Sequence, residues 1–215
     1  MQDNNYSQQD FYGQQELIYK SAYVSIALLL LNVLIFILCI SVAPFLYDKG
    51  AMVTQLILEK GQFYRLFSAI FLHADIEHLV NNMVMLALIG AIVEHYTGHG
   101  FYIFLYFASG LVGNMLSMAF EMRNDLSIVS IGASGAVMGL VGFVAIWVVI
   151  NRNTFIRNKN TFFRLGLLLI FVVNACFFQE GANTMAHLGG FLAGIVLGIV
   201  DIILLKNNKN MEGLA

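Results

Sequence analysis

Charge is scarce in this chain. Asp, Glu, Lys and Arg make up only 11% of its 215 residues, against about 25% in soluble domains. With 59% hydrophobic residues and a mean hydropathy of +0.77, this excludes an ordinary soluble domain and points to an integral membrane protein. No basic stretch is dense enough to bind nucleic acid, and a formal net charge of −2 names no partner. Cysteine is scarce too: Cys39 and Cys176 each lie inside an apolar run, with no paired spacing for a disulfide framework or a thiolate metal site. Both read as small buried hydrophobes. The N-terminus lacks a basic n-region and a nearby apolar core. Met1 to Glu16 is rich in Gln, Asn, Asp and Tyr and does not read as a cleaved signal peptide.

What is present is a series of long apolar runs. Between polar breaks the sequence predicts six spans, at 22–45, 75–97, 100–120, 134–150, 162–178 and 184–205. Most approach the roughly 20 residues that a helix needs to cross a hydrocarbon core about 30 Å thick. Continuous runs fit helices better than the alternation of a barrel strand. The expected fold is therefore all-α, a polytopic bundle of six transmembrane helices spanning 22–205, with short polar tails at 1–21 and 206–215. The loop at 46–74 mixes polar and apolar residues and reads as partly embedded or interfacial. An even number of spans puts both tails on one side. The tail-side loops hold seven Lys and Arg residues (Lys20, Arg152, Arg157, Lys159, Arg164, Lys206, Lys209) against four (Lys49, Lys60, Arg65, Arg123). Both termini are then expected in the cytoplasm, and spans two, four and six start on the outer face.

Polar residues inside the apolar runs fall near the starts of those same three spans: His78 and Asn82, Ser134, and His187. Such groups are costly in lipid and should face the bundle interior or a water-filled cavity. Three placements at one depth suggest one site. Ser134 opens the span 134–150, whose roughly 25 Å length would sink its start below the surface. A helix N-terminus offers unsatisfied N–H groups to an oxyanion. The flanking Gly132 and Gly135 allow close approach, although glycines at helical spacing also serve simple helix packing. His187 shares a helical face with Gly190, Gly194 and Gly198. It suits a base for the serine, and equally a proton relay or an interhelical hydrogen bond. His78 and Asn82 share a face and offer N–H donors, or else join helices, whereas His73 is expected to be rotated well away. His73 and His78 lack zinc-pair spacing and no carboxylate or thiol completes a set, so neither a metal nor a cofactor is expected.

Taken together, His73-x4-His78-x3-Asn82, Gly132-Ala133-Ser134-Gly135 and His187-x2-Gly190-x3-Gly194 resemble the rhomboid intramembrane serine proteases, over about residues 60 to 200. The resemblance implies a six-helix rhomboid-like fold and a catalytic dyad of Ser134 and His187. It also implies an oxyanion site of His78, Asn82 and the Ser134 N–H. Tyr64-Arg65 resembles the family's Trp-Arg pair, with Arg65 a structural anchor of the first loop, and Glu94 matches a structural glutamate. Met138 departs from the family, standing where bacterial members often have a Tyr stacked on the histidine. The resemblance implies cleavage of transmembrane protein substrates within the lipid bilayer of the cell membrane, at a site open to the extracytoplasmic side. Two other readings remain. An inactive relative binding transmembrane helices would typically have lost the serine or histidine, and a proton-coupled transporter should carry more carboxylates than Glu94 and Asp201 near the span ends.

Overall fold

The computed structural model describes residue 13 and residues 15–152, 163, 166, 167, 170, 173, 174 and 181–207. Four of its helices are long and apolar enough to cross a membrane: α1 (Tyr23–Ser41), α5 (Ile76–Thr97), α6 (His99–Asn124) and α8 (Thr184–Leu204). A shorter apolar helix, α7 (Ser134–Ile150), runs among them. Most of the expected span at 162–178 lies outside the described residues, as do Cys176 and the chain beyond 207. The molecule is a multi-pass, all-α membrane protein, and its first span ends earlier than expected. After Ser41 the chain turns, and Pro44, which can open a helix but not continue one, leads into the short α2 (Phe45–Gly50).

The first loop is folded. α2 is followed by β1 (Met52–Val53), α3 (Thr54–Lys60) and α4 (Arg65–Ser68), then a 3-10 turn at Ala69–Phe71. β1 pairs antiparallel with β2 (Val129–Ser130), joining this loop to the segment that leads into α7. Arg65, only 4% exposed, anchors the loop. Its guanidinium donates to the carbonyls of Ala51 at 2.7 Å and Asp48 at 2.9 Å, and to Gln62 Oε1 at 2.6 Å.

α7 is the central helix, buried on nearly every side from Gly135 to Val144. It packs on α6 and α8, and the core around it includes Leu86, Tyr102, Leu105, Tyr106, Leu140 and Phe143. Leu30, Leu34 and Ile37 of α1 point outward, as a lipid-facing surface requires. Glycines set the α7–α8 distance. A Cβ at Gly190 would collide with the Gly135 carbonyl, one at Gly194 with the Gly139 carbonyl, and one at Gly142 with the Phe191 carbonyl. Backbone therefore lies against backbone along the seam.

Glu94 holds the opposite end of the bundle. Its carboxylate accepts the N–H groups of Val24 at 2.8 Å and Ser25 at 2.7 Å, the Ser25 hydroxyl at 2.7 Å, and lies 2.7 Å from His99 Nδ1. A side chain of α5 thus satisfies the orphan donors that open α1. Glu94→Ala is expected to lower stability by about 3 kcal/mol, since it strands the two helix-end amides of Val24 and Ser25. A lowered thermal midpoint in detergent would be the readout, and a parent-like midpoint would contradict the assignment.

Candidate active site

Asp75 caps α5 by accepting the His78 N–H at 2.8 Å, and this places His78 and Asn82 on consecutive turns of one face. Asn82 donates its Nδ2 to the His78 carbonyl at 2.8 Å. The chain reaches α7 through Gly132, whose φ of +129° lies in the region that favours glycine. A Cβ there would also stand 2.8 Å from His78 Cε1 and Nε2, so the imidazole of His78 covers the backbone just before Ser134.

The amides of this entry segment are used in sequence. Gly132 N–H donates to the Ala69 carbonyl at 2.9 Å, and Ala133 N–H points at His73 Nε2 at 3.5 Å. Val137 N–H is the first to bond back within the helix, to the Ala133 carbonyl at 3.0 Å. The N–H groups of Ser134, Gly135 and Ala136 therefore belong to the helix mouth, where the macrodipole is positive. Ser134 is half-buried there, and its Oγ lies 2.8 Å from Nε2 of His187, which is 3% exposed. Both side chains line a cavity of about 780 Å³, shared with His78, Asn82 and Met138. All four residues singled out in the sequence thus meet in one place. Met138, buried one turn after Ser134, forms part of the cavity wall.

Two expectations are corrected. His73 is not turned away: it lies before α5 begins, so helical spacing does not apply to it, and its ring packs edge-on to His78 at 5.1 Å between centroids. Burial, with His78 beside it, pushes the His73 pKa down to about 3, so the ring stays neutral and Nε2 can accept the Ala133 N–H. Glu121, just past the expected end of the third span at 120, is instead a buried residue of α6, which continues to Asn124. Its two oxygens accept the hydroxyls of Thr54 at 2.8 Å and Ser117 at 3.0 Å. Asn183, which caps α8, was also missed, although an Asn before an apolar run is a readable helix start. Among the described residues no group of His, Cys, Asp or Glu is arranged to hold a metal.

The molecule is thus a polytopic helical membrane protein with a serine hydroxyl set against a histidine at the heads of two glycine-packed helices. The family model for the Rhomboid domain matches residues 60–203, and the chain belongs to the rhomboid family. It is 39% identical over 161 residues to RHOMBOID-like protein 5 of Arabidopsis thaliana, covering 74% of this chain and 50% of the relative. It is 34% identical over 142 residues to the rhomboid YdcA of Bacillus subtilis (strain 168), 66% of this chain and 69% of that one. With the rhomboid protease GluP of the same organism it shares 32% over 147 residues, 67% of this chain and 27% of the relative. The matches thus span half or less of the Arabidopsis and GluP chains.

Proposed function

We propose that this rhomboid is an active intramembrane serine endopeptidase, cutting peptide bonds in or near the transmembrane segments of other membrane proteins. The observation that carries the reading is the 2.8 Å separation of Ser134 Oγ and His187 Nε2 within one cavity. His187 takes the hydroxyl proton as Ser134 attacks the carbonyl carbon, and the tetrahedral oxyanion is held by the Ser134 N–H, His78 and Asn82. His187 then gives the proton to the leaving amine, and water, activated by the same histidine, releases the acyl group. A helix hides its carbonyls in its own hydrogen bonds, so the substrate segment must unwind to present one. Residues 22–205 form the protease domain. Both termini lie in the cytoplasm of a cell whose plasma or inner membrane holds the protein, and the site opens to the extracytoplasmic side.

A fluorophosphonate probe tests this directly. The expected result is covalent labelling at Ser134 that is lost in a folded His187→Ala protein. No labelling of the folded parent, together with tight capture of transmembrane helices, would instead identify a rhomboid-like binder.

A further inference from the structure

We infer that Asn183 is a positioning residue for His187, acting through Ser117 and Ser130; this rests on the serine protease reading above. Asn183 stands at the start of α8, where its Oδ1 accepts the Ala186 N–H at 3.0 Å and its main-chain carbonyl accepts the His187 N–H at 3.0 Å. The first turn of the helix, with His187 in it, is therefore built on this residue. The other end of the same side chain reaches out of the helix. Its Nδ2 donates to Ser117 Oγ and to Ser130 Oγ, each at 2.7 Å. An amide nitrogen has two hydrogens, and both are used.

The direction of these bonds is determined by chemistry. The Asn183 amide nitrogen can only donate, so Ser117 Oγ must accept from it and has its own proton left for Glu121. Glu121 Oε1 takes that proton at 3.0 Å, while Oε2 accepts from Thr54. Ser117, Ser130 and Glu121 are all buried, where a lost partner is costly and a satisfied set is rigid. Ser130 belongs to β2, the strand four residues before Ser134 that pairs with β1. One side-chain amide thus joins the head of the helix carrying His187 to the segment that delivers Ser134, with α6 as the fixed support. The glycine seam sets how close α7 and α8 come, while Asn183 fixes how the first turn of α8 is rotated and tilted against Ser134.

Capping and bridging can be separated by Asn183→Ser. A serine caps a helix about as well as asparagine but is too short to reach Ser117 and Ser130. The experiment is cleavage of a transmembrane substrate in liposomes by the full chain, with thermal midpoints measured alongside. The expected result for Asn183→Ser is a fall in kcat of about 10- to 100-fold with KM nearly unchanged, in a protein that still folds although its midpoint is lowered by the loss of two buried hydrogen bonds. Ser117→Ala, which leaves the cap untouched, should give a similar fall, and the double variant should be no worse than the more impaired single one. Parent-like kcat in Asn183→Ser, or losses that multiply in the double variant, would overturn the inference while leaving the protease reading intact. A parent that neither cleaves nor labels at Ser134 would overturn both.

Discussion

Ser134→Ala is expected to reduce cleavage of a transmembrane substrate by at least about 10³-fold, with binding of that substrate retained. The reason is local. The substitution removes the hydroxyl that lies 2.8 Å from His187 Nε2 and leaves the proposed oxyanion donors, His78, Asn82 and the helix-mouth amides, in the same cavity. What remains can polarise the peptide bond but has no nucleophile for it. The fold should survive, because a half-buried serine is replaced by a smaller good helix former and one hydrogen bond worth about 1 kcal/mol is lost. If the two act as the proposed dyad, adding His187→Ala should then cost almost nothing more. The measurement is a cleavage assay in liposomes with a midpoint control. A Ser134→Ala protein that cut as fast as the parent would remove Ser134 from the chemistry.

Gly190→Ala is expected to cost both stability and activity, about 1–3 kcal/mol from overpacking and about 100-fold in cleavage. The added methyl meets the main-chain carbonyl of Gly135, which has no rotamer with which to step aside. Relief requires α7 and α8 to separate. Gly135 is the neighbour of Ser134 in sequence, and Gly190 is one turn from His187, so separation there lengthens the hydrogen bond between the pair. Gly100→Ala is the matching control. Gly100 lies in the first turn of α6 with nothing within 4 Å of a new Cβ, so alanine there should be neutral or slightly stabilising. Parallel losses in the two variants would mean that the seam has no special role.

Much of this was readable from residue order. Span four was expected at 134–150 and α7 runs Ser134–Ile150, while 75–97 and 184–205 became Ile76–Thr97 and Thr184–Leu204. Apolar length and polar punctuation are local properties, and in a bilayer they translate almost directly into helices. The third span was expected to end at 120, because Glu121 and Arg123 interrupt the apolar run. In the structure the helix continues, since Thr54 and Ser117 satisfy the Glu121 carboxyl inside the protein. His73 was misjudged for a related reason: helical spacing was applied to a residue outside any helix.

The sequence by itself determined that the chain inserts in a membrane, where its main helices start, and that Ser134, His187, His78 and Asn82 stand near helix starts. It also supplied the glycine faces that permit two helices to touch. Tertiary structure alone decided that Gly190 meets Gly135 and not another small residue, that His78 covers Gly132, and that the Asn183 amide bridges Ser117 and Ser130. The partners are separated by some 50 or more residues. Periodicity records which face of a helix is special, but not which other face it meets. That choice is made by packing, where a single misplaced methyl excludes one pairing and an unpaired buried amide excludes another.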